Sequence, residues 1–382
     1  MGFNKFNIKI WGVRYYLIAG EASGDLHGAN LIAALKQKGP LDEFRAWGGD
    51  KMKSQGAQIV KHYKHLAFMG FWEVAINIRT ILSFISICKK DILFFKPDAL
   101  ILIDYPGFNM RIAKWASKLN IPVHYYIMPQ AWAWRENRVK NLAKFTDFRY
   151  AILPFEVDFF KNKHNLSIDF VGHPLLDEIS SLKKFDTSLI ETQLRLSKNE
   201  RVIALLPGSR KQEINKILPV IISLIDSFPN YRFVIAGTKN IDKSLYNQLA
   251  PGTDIVIDQT YELVNLADAA IVTSGTATLE TALLKTPQIV CYKTSPLSFA
   301  IAKRIVKLPF ISLVNLVLNR LLVRELIQND CNQAELTKAL KEIISMNGKK
   351  TILSGYDELI KKLGGKGASE MVASLIIKRT HA

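Results

Sequence analysis

Short runs of β-branched and aromatic residues punctuate this chain, each followed by a turn and then by a longer stretch of helical spacing. The first three are Tyr15 to Ala19, Ala99 to Ile103 and Val123 to Ile127. Continuous apolar runs predict strands buried on both faces, and the helical stretches between them predict crossovers, so the front of the chain reads as a parallel sheet. The pattern resumes at Val202 to Leu206, Phe233 to Ala236, Asp254 to Ile257, Ala269 to Val272 and Gln288 to Tyr292, which predicts a second parallel sheet. Gly172-His173-Pro174 and the polar stretch Ser180 to Glu200 separate the two. The domain change is placed there, giving a Rossmann-like first domain over residues 14–180 and a second over 181–355. Residues 356–382 read as Lys-rich helices that pack back on the first domain. Met1 to Val13 has scattered polar residues and neither a continuous apolar core nor a small-residue cleavage site. It reads as an extension or a mis-assigned start rather than a signal peptide.

One segment departs from this alternation. Leu66 to Cys88 is nearly all apolar, with Glu73, Asn77, Thr80 and Ser83 aligned as a narrow polar stripe if helical. Its length suits a bilayer, but Glu73 and Arg79 lie inside it and each buried charge costs about 2.5–3.5 kcal/mol on insertion. Two readings stand: a helix buried on both sides, or a face lying at a membrane interface.

Composition narrows the function classes. A length of 382 residues suits about two domains of ordinary size. Hydrophobic content of 48% with 22% charged residues excludes a disordered chain. Lys and Arg outnumber Asp and Glu by 51 to 34, a net +17, which implies an anionic partner: nucleic acid, a phosphorylated small molecule or an acidic membrane surface. The basic residues are spread along the chain and no RRM, KH or zinc-finger signature occurs, which argues against nucleic acid. Cys88, Cys291 and Cys331 lie far apart and form no CxxC, so neither a disulfide framework nor a zinc ribbon is expected, and a reducing cytoplasm fits.

The chemistry gathers where strands end. Gly20-Glu21-Ala22-Ser23-Gly24-Asp25 follows the first run, and Pro207-Gly208-Ser209-Arg210 follows Val202 to Leu206. Glycines there let backbone approach a ligand, and the amides at the following helix start attract phosphate. Arg210 adds a guanidinium suited to a diphosphate, although the spacing is not that of a Walker loop. Ser274-Gly275-Thr276 opens another helix after Ala269 to Val272, and Glu280, one turn on, is placed either to accept a ribose diol or to cap. Asp104 directly follows Ala99 to Ile103, so its carboxylate is expected at the ligand-binding edge, as a general base or as a helix N-cap. Asn109 is placed to orient substrate hydroxyls. Gln130, Trp132, Trp134 and Arg135 reach the same edge after Val123 to Ile127, as core packing or as an apolar wall beside a sugar or acyl chain. His27, His124 and His173 show no metal-ligand spacing, so no metal is expected.

Taken together, Gly20 to Asp25, Ile103 to Asn109, Pro129 to Arg135, Leu206 to Arg210, Ser274 to Glu280 and Ser312-Leu313-Val314-Asn315-Leu316 resemble, in order and spacing, the successive motifs of the lipid-A-disaccharide synthase family. The resemblance runs from about Tyr15 to the end. Met128-Pro129-Gln130 and Val314 depart from the family's usual residues, and Met1 to Val13 has no counterpart. The resemblance implies a GT-B glycosyltransferase whose two Rossmann-like domains face each other across a cleft, with no cofactor. It would condense UDP-2,3-diacylglucosamine with 2,3-diacylglucosamine 1-phosphate to lipid A disaccharide 1-phosphate and UDP, with inversion. Asp104 is then expected as base with Glu21 the competing carboxylate. Gly208, Ser209, Arg210, Ser274, Gly275 and Thr276 hold the diphosphate, and Glu280 the ribose. Ser23, Asn109, Gln130, Trp132 and Asn315 are expected against the sugar and acyl groups. A peripheral position on the cytoplasmic face of the inner membrane, contact with anionic lipid through Leu66 to Cys88, and a homodimer are compatible with it. The neighbouring alternatives are an undecaprenyl-linked N-acetylglucosaminyltransferase and a UDP-sugar 2-epimerase; a basic nucleic-acid-binding protein is the distant one.

Overall fold

Strands buried on both faces need helices to cover them, and a chain that covers each strand before laying down the next one runs all its strands the same way. In the computed structural model this produces two wholly parallel sheets. The structure describes residues 12–66, 78–133, 136–181, 187–197, 199–306 and 308–380. The first sheet contains β1 (Arg14–Ala19), β2 (Glu43–Gly48), β3 (Gln58–His62), β4 (Ala99–Ile103), β5 (Val123–Tyr126), β6 (Phe148–Ala151) and β7 (Asp169–Phe170). The second contains β8 (Arg201–Leu206), β9 (Tyr231–Gly237), β10 (Asp254–Ile257), β11 (Ala269–Thr273), β12 (Gln288–Tyr292) and β13 (Glu325–Ile327).

Their orders are β3-β2-β1-β4-β5-β6-β7 and β10-β9-β8-β11-β12-β13. Each reverses direction once, between β1 and β4 and between β8 and β11. Those are the topological switch points at which open α/β sheets bind ligands. Register makes the consequence specific. Ala19 pairs with Ile103, so Gly20-Glu21 emerges beside Asp104, and Val272 pairs with Leu206, so Pro207-Gly208 emerges beside Thr273-Ser274.

Alternate residues of β1 feed opposite cores: Tyr15, Leu17 and Ala19 on one face, Tyr16 and Ile18 on the other. The chain divides into units 1–174 with 366–382, and 175–365. The second unit thus begins at Leu175, before the polar stretch, because the Leu175–Ser181 helix contacts the Thr276–Leu283 helix of that unit. Its end likewise moves from residue 355 to 365, since the Met346–Lys362 helix packs within it. Only the Ala368–Thr380 helix returns to the first unit. It buries Val372, Ala373 and Ile376 against the Ala22–Lys38 helix, and Arg379 pairs with Asp169 at 2.7 Å while lying over the Phe148 ring at 4.6 Å.

Residues 67–77 of the apolar segment, Glu73 and Asn77 included, lie outside the described residues. Leu66 is buried in a turn, and Ile78 to Cys88 belong to the Ile78–Phe95 helix, which is buried on one side only. Ile85, Cys88 and Ile92 enter the core, while Leu82, Ile87, Leu93 and Phe94 are exposed. Among the described residues no helix is long and apolar enough to cross a membrane.

Ile376 has no exposed surface, so Ile376→Ala is expected to lower the unfolding free energy by about 2–5 kcal/mol. The check is the denaturant midpoint. An unchanged midpoint would mean that the terminal helix contributes nothing to the first domain's stability.

Candidate functional site

At the first switch point the backbone is strained. Asp104 and Tyr105 are consecutive non-glycine residues in the left-handed region, at φ 45° and 48°, each costing on the order of 1–3 kcal/mol. Several bonds hold them there. The Asp104 N–H donates to the Tyr126 carbonyl at 3.0 Å, and the Asp104 carbonyl accepts from the Tyr125 hydroxyl at 2.8 Å and from Asn109 Nδ2 at 2.7 Å. Tyr105 donates its hydroxyl to the Leu66 carbonyl at 3.1 Å, and its ring presses on Gly20, where a Cβ would come within 2.2 Å of it. Gly20 is therefore required by this packing.

The result aims Asp104 at Glu21. Burial first, then the charge of Glu21 and a hydrogen bond with it, push the Asp104 carboxyl up to about 7, and the Tyr105 amide draws it partly back. Glu21 itself is exposed, and its Oε1 accepts from the Ser23 hydroxyl at 3.1 Å. The helix after Asp104 starts at Tyr105 with no side-chain cap, so Asp104 does not act as the cap. Asp25 has such a role at another helix: it accepts from the Gly49, Lys51 and Met52 amides at 2.7, 3.1 and 3.1 Å and so fixes the start of the Asp50–Ser54 helix.

Two expected sugar contacts are reassigned by burial. Asn109 is fully buried, and Nδ2 also donates to the Ile18 and Ile103 carbonyls at 3.3 and 3.2 Å, so it ties the ends of β1 and β4 and positions Asp104. Asn315 is fully buried too. Nδ2 donates to Val323 O and Glu325 Oε1, both at 2.8 Å, and Oδ1 accepts from the Leu322 and Val323 amides at 2.9 and 3.0 Å. Its hydrogen-bonding capacity is thereby filled. Gln130 is exposed at the β5 edge, whereas Trp132 is half-buried and donates its indole N–H to Glu156 at 3.0 Å. Glu156 is buried, which pushes its carboxyl up to about 7, and it accepts from the Ile152 and Leu153 amides. Trp134 and Arg135 lie outside the described residues. His124 and His173 are core imidazoles, both held down to about 3, chiefly by burial.

The second switch point opens into a cavity of about 500 Å³. Gly208, Ser209 and Arg210 line one side, Ser274, Gly275 and Thr276 the other, with Glu280 among the lining. All seven of the residues expected to hold a nucleotide diphosphate and ribose are thus brought together. The flanking helices Lys211–Ile222 and Thr276–Leu283 both begin without a side-chain cap, so their first amides are left for an anion. Ser274 differs from its neighbours: its amide donates to the Cys291 carbonyl at 2.9 Å and its hydroxyl to the Ile311 carbonyl at 3.1 Å, so it shapes the turn.

Three residues of this region escaped the sequence reading. Glu213 accepts from the Ser209 amide and pairs with Arg210, both at 3.3 Å, setting a carboxylate against the very donors expected to bind phosphate. The Tyr261 hydroxyl lies 3.2 Å from Glu280 and 3.4 Å from Glu178. Burial raises the Glu280 carboxyl, the Tyr261 hydrogen bond lowers it, and neighbouring Glu178 raises it again. Tyr261 was findable, since it sits four residues past Ile257 at a strand end; Glu178 was not, because the sequence reading assigned it to the first domain, residues 14–180.

Solved structures share this architecture. The UDP-GlcNAc 2-epimerase from Neisseria meningitidis bound to UDP-GlcNAc superposes with a TM-score of 0.67 at 14% identity, over 96% of this chain and 100% of that one. A glycosyltransferase of kitacinnamycin does so at 0.65 and 14%, over 97% and 99%. Such distant likeness establishes fold alone, and the fold is that of the GT-B enzymes. Sequence is more specific. Residues 15–378 match the family model described as lipid-A-disaccharide synthetase. The lipid-A-disaccharide synthase of Syntrophus aciditrophicus is 38% identical over 94% of this chain and 96% of its own length, and that of Geobacter metallireducens 35% identical over 96% and 97%. The chain belongs to the lipid-A-disaccharide synthase family, glycosyltransferases of lipid A biosynthesis.

The raised Asp104 carboxyl has a consequence for stability. Its folded value lies above the value of about 3.9 for an unfolded Asp, so its contribution is full below that pH and is lost as pH rises through about 7. Asp104→Asn is expected to be more stable than wild type at about pH 8, the gap closing towards about pH 4. Denaturant midpoints across this range check it, and a gap independent of pH would refute the burial of this carboxyl.

Proposed function

We propose that the enzyme transfers 2,3-diacylglucosamine from UDP to the 6-hydroxyl of 2,3-diacylglucosamine 1-phosphate, giving the β-1′,6-linked disaccharide 1-phosphate and UDP. The observation that carries this reading is the division of chemistry between the switch points: an acidic pair at one, and at the other a cavity of about 500 Å³ lined by two uncapped helix starts and Arg210, in a chain of this family. The donor is α-linked and the product β-linked, so a single displacement with inversion is the economical route. The acceptor oxygen forms its bond to C1 as the C1–oxygen bond to UDP breaks.

Asp104 takes the hydroxyl proton. A carboxyl that ionises near 7 is a stronger base than an ordinary Asp and still about half in its basic form at neutral pH. Glu21, through its charge and hydrogen bond, keeps it there. Arg210, with the amides of Gly208-Ser209 and of Gly275-Thr276, neutralises the departing diphosphate, and Glu280 receives the ribose diol. Both sugars carry acyl chains and phosphate. This gives the basic chain an anionic partner and gives the exposed Leu82, Ile87, Leu93 and Phe94, with Arg79 and Lys90 beside them, a reason to face lipid. The enzyme then works at the cytoplasmic face of the inner membrane.

Asp104→Ala is expected to lower turnover by about 10²–10⁴-fold while leaving UDP affinity near wild type. Arg210→Ala is expected to weaken UDP binding by about tenfold or more, as lost charge-assisted hydrogen bonds do. Turnover of the wild type should climb as pH rises through about 7, where Asp104 loses its proton. Steady-state rates and UDP titrations, made with acylated and with unacylated acceptor sugars, check all three. Near-normal turnover in Asp104→Ala would move the base to Glu21, and a preference for unacylated acceptors would reject the substrate assignment.

A further inference from the structure

The Pro296–Ile305 helix follows β12 at the carboxyl edge of the second sheet, and none of its residues is buried. Leu297, Ile301 and Ile305 recur at every fourth position and so share one face, and they are 73%, 52% and 50% exposed. An amphipathic surface helix ordinarily turns such a stripe inward; here it points out. From Thr281 to Arg324 the chain has no Asp or Glu. Lys285, Arg320 and Arg324 of this stretch pair with Asp357, Glu358 and Glu335 from beyond it, so the charge that the helix itself presents is that of Lys303 and Arg304. Lys303 and Arg304 are exposed in the last turn of the helix. The segment is also tied at both ends to the nucleotide pocket, through the Cys291 and Ile311 carbonyls that accept from Ser274.

We propose that this helix docks on an anionic membrane, its aliphatic stripe entering the acyl boundary while Lys303 and Arg304 meet phosphate headgroups. The proposal rests on the reading that the substrates are acylated, and it assigns the second domain a lipid contact of its own beside the pocket. A second copy of the chain is the competing occupant of the stripe. A two-fold contact of this helix would set Lys303 and Arg304 against their own copies with no acid on the helix to offset them, whereas headgroup phosphates neutralise them.

The test uses the full chain with Ile301→Cys labelled by an environment-sensitive nitrobenzoxadiazole dye, Cys88, Cys291 and Cys331 being buried. Vesicles of phosphatidylcholine with phosphatidylglycerol are expected to raise dye emission severalfold, and doxyl groups on the acyl chains to quench it. Pure phosphatidylcholine should do little. Leu297→Ser with Ile305→Ser, and separately Lys303→Glu with Arg304→Glu, should each lower vesicle partitioning severalfold while disaccharide formation from detergent-dispersed substrates persists. Unchanged emission from protein that floats with the vesicles would overturn the proposal. So would emission that rises with protein concentration in the absence of lipid, which would point to a second copy. Docking by a wild-type protein inactive on acylated sugars would reject the functional reading alone.

Discussion

Everything chemical in this protein follows from a packing constraint: strands hidden on both faces must be covered before the next is laid down, so all of them point one way. Their ends then lie along a single edge of each sheet, and only where the strand order reverses do two neighbouring loops part and leave room. Glu21 and Asp104 meet because β1 and β4 are adjacent in space though about eighty residues apart in sequence, and the glycine turns after β8 and β11 meet for the same reason. The two halves use one architecture for opposite electrostatic ends. The first brings two carboxylates together and raises one of them; the second brings helix starts and a guanidinium together.

Much of this was legible in the residues. Ala99–Ile103, Asp254–Ile257 and Gln288–Tyr292 form strands at the bounds their runs predict, because Ile, Val, Leu and Tyr dominate each run and a turn ends it, even in β10 at the sheet margin. The strands that escaped were β2, β3, β6, β7 and β13. Glu43-Phe44-Arg45-Ala46-Trp47-Gly48 mixes charge with apolar residues, since Arg45 is bound by Asp91 from a helix, and β7 and β13 are only two and three residues long at sheet margins. Propensity reads burial, and these strands are not uniformly buried.

The cavity after β8 and β11 was legible because most of its lining adjoins strand ends in the sequence itself. The sugar side was less so. Asn109 and Asn315 have the right chemistry for binding hydroxyls, and only three-dimensional burial reveals that carbonyls and amides of the fold already occupy them. An asparagine that braces a strained turn and one that grips a ligand look identical in a string of letters. What distinguishes them is whether the amide faces a solvent-filled space or a set of unpaired backbone groups at the junction of β1 and β4 or beside β13.

Glu213 carries a consequence of its own. Its carboxylate accepts from the Ser209 amide and lies beside the exposed Arg210 guanidinium, so part of this loop's donor set already faces an anion. If this loop takes the diphosphate as proposed, the arriving anion displaces a resident carboxylate and, on departing, hands the loop back to it. Exchange of like for like makes the bound well shallower, which under that proposal would ease discharge of the nucleotide product.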